Sequence, residues 1–448
     1  MFKFHSARLF ATIVFMAFAV AAQAGIIAFK DEKTKEICVN HWDTDGDKEL
    51  STDEAAAVTE LRGFFAFSDI TSFDELSYFT GLSVIPGRAF YECKSLEHLV
   101  IPEGVTEIKA RAFYGCTSLT EIAFPQSVKT LGSWSFAYCG SLAAIDLGTS
   151  LEEIDQQAFC ECTSLTAVHL PASICELSGD AFSYCSSMVT MTVDGANTSF
   201  DSRDDCNAFI ETTSNTLVAG CATTVIPESV TTIGPNAFVG CTSLTHIDIP
   251  QSVTKISSYA FSSCEGLTSV VIPSSVSLVD YGAFSYCSAL VSVVVEEGVG
   301  IIGYNAFESC TALEYVSLPS TLTKLCDDAF FSCRSLASVI VAMDSPLDIS
   351  ESTFSYRRQA NLYVPKGRLE AYKKAVVWKD FKTIEERRIL GDVNHDGFVN
   401  IYDVTLMIDY ILGLSPMNFH ITEADINDDT FVNIYDVTLL IDYILNKE

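Results

Sequence analysis

The chain has 448 residues and a formal net charge of −31, and 48% of its residues are hydrophobic. Such an acidic balance argues against nucleic acid or an anionic membrane surface as a partner. A chain of this length exceeds one compact core, whereas an array of stacked repeats grows without that limit. The composition therefore fits one large assembly, and no apolar stretch beyond the N-terminus predicts membrane insertion.

The N-terminus has the pattern of a secretory signal peptide, residues 1–24. Lys3 and Arg8 precede an apolar run over residues 9–22, which ends in the small-x-small sequence Ala22-Gln23-Ala24. The run is too short to span a bilayer comfortably, because a spanning helix needs about 20 apolar residues. No cysteine follows the cleavage site, which argues against a lipoprotein. The mature protein is predicted to be secreted, either soluble or attached to the cell surface.

Residues 25–81 are predicted to form an N-terminal cap that contains an EF-hand-like loop. Residues 25–80 hold 13 acidic and 5 basic residues, a net charge of −8. Residues 43–54 place carboxylates at loop positions 1, 3, 5 and 12, and position 7 supplies its backbone carbonyl, as in a calcium loop. The predicted ligands are Asp43, Asp45, Asp47, Glu49 and Glu54. Lys48 stands where such a loop normally has glycine, so a solvated acidic turn is the alternative interpretation.

Residues 82–341 repeat a unit of 23 residues. Each unit reads L-x-x-I-x-I-P, then V-x-x-I/L, then a short G-x-x-A/S-F-x-x-C turn. The first segment alternates like a strand and ends at proline, which lacks a donor for the ladder, and the second segment predicts another short strand. One unit cannot bury its apolar face alone, so the fixed period predicts a stacked solenoid. The aligned aromatic residues are Phe90, Phe113, Phe136, Phe159 and Phe182, then Phe238, Phe261, Phe284, Phe307 and Phe330.

The segment IPESVTTIGPNAFVGCTSL, residues 226–244, carries a family resemblance. It is similar to the recurring phrase of BspA-like leucine-rich repeats, and the resemblance covers residues 82–341. The resemblance implies an elongated, right-handed, β-rich solenoid. The predicted fold class is a mainly β repeat solenoid with a parallel β-sheet and a small all-α calcium-binding module at the C-terminus.

A cysteine follows each repeat aromatic by three residues. A residue that recurs in every coil occupies an equivalent inward corner, where cysteine behaves as a small buried hydrophobe. Free thiols are therefore expected, although neighbours about 5 Å apart would permit disulfides. The ten cysteines are Cys93, Cys116, Cys139, Cys162, Cys185, Cys241, Cys264, Cys287, Cys310 and Cys333.

The repeat is interrupted once, at residues 186–236. Here 56 residues rather than 46 separate Phe182 from Phe238. Two short apolar runs flank Thr213-Ser214-Asn215, which predicts a β-hairpin. Pairing centred on residues 213–214 would put Cys206 opposite Cys221, where a disulfide is an open alternative to two free thiols.

The sequence contains no catalytic constellation, so the chain is not expected to be an enzyme. No histidine of the mature chain stands beside a serine or cysteine in a nucleophile motif. The outward positions of the first strand would form the partner-binding surface of the solenoid, for an unknown host-protein or glycan ligand. Its apolar members, such as Val271, Val294 and Ile340, indicate either a contact patch or ordinary strand filler.

Residues 342–388 are predicted to form a C-terminal cap and linker. A strand and a helix within residues 362–386 would bring Trp378 and Phe381 over the last coil. Such a cover is expected because an uncapped solenoid exposes the edge of its sheet.

Residues 391–448 contain a sequence that is duplicated at a distance of 33 residues, with 11 acidic residues against one lysine. Each copy is predicted to be an oxygen-rich loop followed by a helix, and the loops suit Ca²⁺ better than Zn²⁺ because no Cys or His lies at a ligand position. The helix faces are Val404, Met407, Ile408 and Ile411, and Val437, Leu440, Ile441 and Ile444. The predicted ligands of the first loop are Asp392, Asn394, Asp396, Phe398 (through its carbonyl), Asn400 and Asp403. Those of the second are Asp425, Asn427, Asp429, Phe431 (through its carbonyl), Asn433 and Asp436.

This duplicated module resembles a type I dockerin. The resemblance implies calcium binding and docking onto a cohesin-type domain of a scaffolding or surface protein. The family's recognition positions correspond to Ile401, Tyr402, Ile408 and Asp409, and to Ile434, Tyr435, Ile441 and Asp442. The Ile-Tyr pairs differ from the Ser/Thr pair common in dockerins, so the cohesin class does not carry over. Thr430 replaces the loop glycine of the second copy, so that site is expected to be the weaker one.

These features predict a secreted bacterial protein for binding or adhesion, without catalytic activity. Its leucine-rich surface would bind the ligand, and its calcium-dependent dockerin would anchor it to a cohesin-bearing partner. Two alternatives remain at this point. The first alternative is a structural spacer whose C-terminal module caps or self-associates. The second is an accessory component of a polysaccharide-degrading complex.

Overall fold

The computed structural model describes residues 25–387, 390–394, 399–417, 419–427 and 430–445. The predicted signal peptide, residues 1–24, lies outside the described residues. In the part of the chain that the structure describes, no helix is both long and apolar enough to cross a membrane.

The N-terminal cap begins with a helix, an acidic loop and a second helix. Helix α1 spans Glu32–Trp42 and α2 spans Thr52–Ala57. Asp31 caps α1 by accepting a hydrogen bond from the Thr34 amide, and Ser51 and Glu54 form a capping box at α2. Strand β1 (Ser72–Phe73) and a 3₁₀ turn (Asp74–Tyr78) then lead into the repeats.

The first half of the solenoid alternates between two kinds of short strand. These are β2 (Val84–Ile85), β3 (His98–Leu99), β4 (Glu107–Ile108), β5 (Glu121–Ala123), β6 (Thr130–Leu131), β7 (Ala144–Asp146), β8 (Glu153–Ile154), β9 (Ala167–Leu170), β10 (Glu176–Leu177) and β11 (Thr190–Val193). The even-numbered strands make one parallel sheet in the order β10-β8-β6-β4-β2. The odd-numbered strands come from the L-x-x-I-x-I segments and pair in parallel as β1-β3, β5-β7 and β9-β11.

The second half follows the same plan after an irregular unit. The irregular unit contains β12 (Phe200–Asp201), β13 (Ala208–Glu211) and β14 (Thr216–Gly220). The regular strands are β15 (Thr232–Ile233), β16 (Lys255–Ile256), β17 (Ser269–Ile272), β18 (Leu278–Val279), β19 (Ser292–Val295), β20 (Ile301–Ile302), β21 (Tyr315–Leu318), β22 (Lys324–Leu325) and β23 (Ser338–Val341). Val270 pairs with Val293, and Val293 with Val316, so the register advances by one repeat from coil to coil. The predicted parallel solenoid is confirmed, with about 14 turns.

The repeat phenylalanines form a buried ladder along the axis. Within each half of the solenoid, consecutive rings lie 4.8 to 5.4 Å apart, centroid to centroid, with interplanar angles of 10° or less. The ladder extends beyond the regular sequence pattern at its C-terminal end, because Phe354 stacks on Phe330 at 4.9 Å. At the N-terminal end, Phe65 stacks on Phe90 at 5.3 Å. Both caps therefore continue the coil of the repeats.

The ladder cysteines are hydrogen-bonded free thiols. All 16 cysteines are free, and all but Cys175 and Cys241 are buried. In nine of the ten ladder positions, the thiol donates to the carbonyl of the phenylalanine in the preceding coil, at 2.9 to 3.3 Å. Burial raises the pKa of Cys93 to about 12, so such a thiol is a poor nucleophile. Cysteine suits this corner because it fills a small volume and donates one hydrogen bond.

The interruption forms the predicted hairpin and acts as a wall across the solenoid. Strands β13 and β14 are antiparallel and buried. Phe209 and Ala219 pack into the hydrophobic cluster of the N-terminal half, whereas Ile210 and Leu217 pack into that of the C-terminal half. Gly220 leaves room for the Phe238 ring, because a Cβ atom there would come within 2.2 Å of it. We refer to β13 and β14 as the hairpin wall.

The proposed opposition of Cys206 and Cys221 was wrong. Glu211 pairs with Thr216, but a bulge at Phe209/Ile210 shifts the register, so Ala208 pairs with Gly220. The two thiols are free and belong to different hydrophobic clusters.

Trp378 and Phe381 cover the C-terminal end of the solenoid, but they follow the helix instead of lying on it as predicted. Strands β24 (Asn361–Val364) and β25 (Thr383–Glu386) extend the parallel sheet, and helix α3 spans Leu369–Lys374. Trp378 and Phe381 both pack on Phe354, at 5.9 and 5.7 Å between ring centroids. Trp378 is fully buried, and its indole N–H donates to the Leu347 carbonyl.

The C-terminal module consists of α4 (Ile401–Ile411), α5 (Ile421–Ala424) and α6 (Ile434–Leu445). Val404 and Met407 of α4 pack in one small core with Val437 and Leu440 of α6. Ile408 and Ile411 belong to the predicted apolar stripe, yet each is 38% exposed, and Leu406 is buried instead. A module with so few helices covers only a narrow face of each one.

Candidate calcium loops and docking surface

Three carboxylates converge in the N-terminal acidic loop. Asp43, Asp45 and Asp47 each place a carboxylate oxygen within 4.8 Å of the others. The loop holds itself in shape, because Asp43 accepts hydrogen bonds from the amides of Gly46 and Lys48, at 2.6 and 2.9 Å. Lys48, at the position where glycine was expected, adopts the left-handed conformation with φ of 70°. The lysine therefore makes the sharp turn despite its Cβ.

The other two predicted ligands of this loop lie outside the three-carboxylate group. Glu54 accepts from the Thr44 amide at 2.7 Å and from the Ser51 amide at 2.9 Å. These hydrogen bonds, from Ser51 first and Thr44 next, lower the pKa of Glu54 to about 2. The Glu49 side chain forms an ion pair with Lys35 at 2.7 Å, which directs its carboxylate to α1. The prediction for Glu49 concerned its backbone carbonyl, and it stays a prediction.

The two C-terminal loops are each fastened to their helix by a buried aspartate. Asp403 accepts from the Val393 amide at 3.0 Å and from the Asn400 amide at 2.9 Å. Asp436 does the same in the second copy, from the Ile426 amide and the Asn433 amide, both at 2.9 Å. Both aspartates are fully buried. The duplicated sequence thus produces a duplicated geometry.

Each loop ends by capping the helix that follows it. Asn400 accepts from the Tyr402 amide and Asn433 from the Tyr435 amide, both at 2.8 Å. The helix start is therefore set by the same residues that were predicted as ligands.

Two buried carboxylates lie close together in the first loop. Asp392 is 4% exposed and Asp403 is fully buried. Burial raises the pKa of Asp403, and the nearby charge of Asp392 adds to the shift. A divalent cation would offset the repulsion between these two carboxylates. This part of the loop therefore fits a divalent cation.

The backbone of the second loop is strained at Thr430, the position where the sequence lacks the usual glycine. Thr430 has φ of 73°, a conformation that a β-branched residue adopts only under strain. Its amide donates to Asp425 at 2.8 Å. The predicted ligands Asp396, Phe398 and Asp429 lie outside the described residues. Asn394, Asn427 and Phe431 are described, and their part in metal binding stays a prediction.

The predicted recognition residues lie at the N-terminal ends of α4 and α6. Ile401 and Tyr402 are 69% and 57% exposed, and Ile434 and Tyr435 are 66% and 57% exposed. Ile408 and Asp442 are also exposed, whereas Asp409 and Ile441 are half-buried. Four large apolar or aromatic side chains in a module of this size exceed what solubility favours. The two copies therefore present similar Ile-Tyr pairs but differ at the other two recognition positions.

The outward strand positions of the solenoid are less uniform than expected. Val271 is 49% exposed, while Val294 and Ile340 are only half-buried. His98, which falls on this face, is held by a 2.6 Å contact between its Nδ1 and Asp74 of the cap.

A different surface was missed by sequence reasoning. At the A-F-x-x-C turn of the first coils, side chains that are far apart in sequence form a row of rings and guanidinium groups. Its members are Phe67, Arg88, Tyr91, Arg111, Tyr114, Trp134 and Tyr138. We call this set the aromatic–basic corner. The 23-residue spacing of Tyr91 and Tyr114 was the available signal.

Comparison with known proteins defines a class of repeat protein joined to a docking module. The family model of the BspA type leucine rich repeat region matches in six copies, over residues 63–215, 219–337 and 289–376. The model of the dockerin type I domain matches residues 390–445. This chain belongs to the BspA-type leucine-rich repeat family and carries a dockerin type I domain. Dockerin type I domains are known to bind calcium, and both families are extracellular or cell-surface modules.

Two solved structures illustrate the likeness. A leucine rich cell surface protein from Faecalibacterium prausnitzii is 26% identical, covers 64% of this chain and 84% of its own, and has a TM-score of 0.50. The pneumococcal vaccine antigen PcpA is 16% identical, covers 69% of this chain and 78% of its own, and has a TM-score of 0.51. The second likeness shows the fold alone. No curated protein matches the chain.

Proposed function

We propose that this protein is a secreted, non-catalytic binding or adhesion protein, anchored through its dockerin to a cohesin-type domain of a scaffolding or surface protein. The leucine-rich solenoid presents the binding surface, and the C-terminal module supplies the attachment. The single observation that carries the attachment is the pair of exposed Ile-Tyr surfaces on α4 and α6. Exposed anchors of this kind, next to well-fixed backbone, are typical of interface hot spots.

Calcium fits the loops that hold these surfaces. Bound Ca²⁺ would supply positive charge to the carboxylates of both loops. The residues that would hold it are the predicted ligands from Asp392 to Asp403 and from Asp425 to Asp436. The chain's own contribution is to position the helices: Asp403 and Asp436 bind loop amides, and Asn400 and Asn433 cap α4 and α6. A loop that loses its cation would therefore release the start of its helix.

The N-terminal loop is proposed as a third calcium site. Asp43, Asp45 and Asp47 converge, each with a carboxylate oxygen within 4.8 Å of the others. Because the loop joins α1 to α2, we propose that calcium here stabilises the cap on the first coil rather than docking.

The attachment is tested by binding of the full-length chain to immobilised cohesin domains of several types, in calcium and in chelator. We expect calcium-dependent binding to at least one cohesin. Replacing Ile401 and Tyr402 by Ala should weaken binding, and replacing Ile434 and Tyr435 as well should weaken it by a further factor of ten or more, because either copy can present the surface.

The matched control is Leu414→Ala, since Leu414 is 57% exposed but lies beyond the C-terminal end of α4. Binding that persists in the variant with both Ile-Tyr pairs replaced, or that survives chelator, would contradict the proposal. Self-association of the full chain without cohesin binding would favour the spacer interpretation.

A further inference from the structure

The aromatic–basic corner is a continuous surface built from four successive coils. Phe67 lies 5.3 Å from Tyr91, Tyr91 lies 5.0 Å from Tyr114, and Tyr114 lies 5.1 Å from Tyr138, between ring centroids. Phe67 is 75% and Tyr138 is 40% exposed. These rings stand on the outside of the coil, separated from the inner phenylalanine ladder by the backbone of the turn. They are not part of the solenoid core.

The guanidinium groups of the corner are held against its rings. Arg88 lies over Tyr91 at 5.6 Å, and Arg111 lies over Trp134 at 5.9 Å, from the guanidinium carbon to the ring centroid. Both arginines are exposed. Each guanidinium therefore has a fixed place and keeps donors that point to solvent.

The charge of the corner is opposite to that of the chain. Its four turns, residues 64–71, 87–94, 109–117 and 132–140, hold four basic residues and two acidic residues, a net of +2. Both acidic residues are ion-paired: Glu92 with Lys94 at 3.0 Å, and Asp69 with Lys33 at 3.1 Å. The whole chain carries −31, and no arginine occurs between residues 204 and 333. At physiological salt the screening length is about 8 Å, so a partner at this surface responds to the local positive charge.

The turn contains left-handed positions, occupied here by Arg88, Arg111, Trp134 and Tyr138, with φ of 60° to 62°. Equivalent positions in other coils hold Asn236, Gly240, Gly282 and Asn305, which tolerate this conformation at lower cost, but also Tyr184, Tyr259 and Tyr286. Bulky residues at these positions are therefore a general property of the turn, and the proposal below depends on the ring contacts, the arginines and the local charge.

We propose that the aromatic–basic corner binds an acidic segment of a partner protein. This deepens the proposed binding function, because it names the surface of the solenoid and the chemistry of the partner. Arg88 and Arg111 can each take a carboxylate in bidentate fashion. Tyrosine, tryptophan and arginine are the residues that dominate protein interfaces, and rings already stacked lose little entropy on binding.

The ring geometry favours a protein over a glycan. Tyr91 and Tyr114 are stacked with an interplanar angle of 4°, so their faces are turned to each other. A sugar ring binds aromatic side chains through a free ring face, which these two rings do not offer to solvent. Their edges and hydroxyl groups remain for peptide amides and side chains.

The test uses the full-length chain and a fluorescein-labelled, glutamate-rich random copolymer of Glu and Tyr, with binding followed by fluorescence anisotropy. Polygalacturonate, a sugar polyanion, is the competing probe. The charge variant is Arg88→Gln with Arg111→Gln, and the aromatic variant is Trp134→Asn with Tyr138→Gly. The aromatic variant is expected to fold, because Asn and Gly occupy the same positions in other coils.

We expect the copolymer to bind the wild type, and to bind each variant at least tenfold more weakly. Tyr259→Asn is the matched control, since Tyr259 is 40% exposed at a left-handed position in a coil without arginine, and it should bind as the wild type does. Absence of copolymer binding to the wild type, or equal binding to the variants, overturns the proposal. Variant-sensitive binding of polygalacturonate alone overturns it in favour of a glycan. Cohesin binding by the same variants should be unchanged, so failure here is distinct from failure of the dockerin attachment.

Discussion

Removing one ring from the phenylalanine ladder should destabilise the C-terminal half of the solenoid. Phe261 is fully buried and stacks between Phe238 and Phe284, at 4.8 and 4.9 Å with angles of 8° and 6°. Phe261→Ala would leave a cavity between two coils that cannot close without disturbing the register of the sheet. Large-to-small changes of this kind cost about 3–5 kcal/mol, and two full stacking contacts place this site at the upper end.

The assay is urea unfolding followed by far-UV circular dichroism. Phe182→Ala is the informative comparison, because Phe182 has one parallel neighbour, Phe159, and only an edge contact with Phe209. Phe182 is also 8% exposed, so the stability lost in Phe182→Ala should lie at the lower end of the range of about 3–5 kcal/mol. The surface control Val271→Ala should change stability by no more than about 0.5 kcal/mol. If Phe261→Ala cost no more than Val271→Ala, the ladder would not be the core of the fold.

Three further predictions follow from the buried groups. Thiol titration should find at least ten free thiols in the unreduced, denatured protein and few reactive ones in the native protein, Cys175 and Cys241 first; cross-linked neighbouring ladder cysteines in mass spectrometry would contradict this. Burial alone would raise the pKa of Asp31, but hydrogen bonds from Thr71 and Thr34 outweigh it and hold the pKa below its usual value. Asp31→Asn should therefore be destabilising at neutral pH. The difference in unfolding free energy between wild type and variant should shrink as the pH falls through the folded pKa of Asp31, because the ionised carboxylate is what stabilises the fold. A difference that does not depend on pH would refute this. In the dockerin, Asp392→Ala with Asp396→Ala should reduce cohesin binding more than Asp425→Ala with Asp429→Ala, because Thr430 strains the second loop. Equal losses of cohesin affinity in the two variants would count against the strain argument.

Most of the solenoid could be predicted because its signal repeats. A 23-residue period with aligned phenylalanine and cysteine specifies the coil many times over, and the hairpin wall was visible from Thr213-Ser214-Asn215 between two apolar runs. The bulge at Phe209/Ile210 could not be predicted, because a register shift of one residue has no signature in the sequence. This shift is why Cys206 does not lie opposite Cys221.

The extent of the stack and its outer surface were harder to predict. Phe354 follows Phe330 by 24 residues, and no cysteine follows Phe354 at the repeat spacing. The repeat pattern therefore did not identify Phe354, although its ring stacks on Phe330. The aromatic–basic corner depends on left-handed turn positions in neighbouring coils, where residue type follows no apolar period. Only the stacked structure shows that Arg111 and Trp134 meet.

The hairpin wall also affects how the solenoid should respond to mechanical force. Side chains of the hairpin wall belong to two separate hydrophobic clusters, so the solenoid consists of two halves that each have their own core. Cooperativity in a solenoid passes through contacts between neighbouring coils. It should weaken at this partition, where direct contacts between the halves include the hydrogen bond from the Tyr184 amide to the Val239 carbonyl, at 3.2 Å. A load applied between a partner on the first coils and an anchor at the C-terminus would then be taken up one half at a time. The half that yields first would lengthen the tether while the other keeps its surface folded.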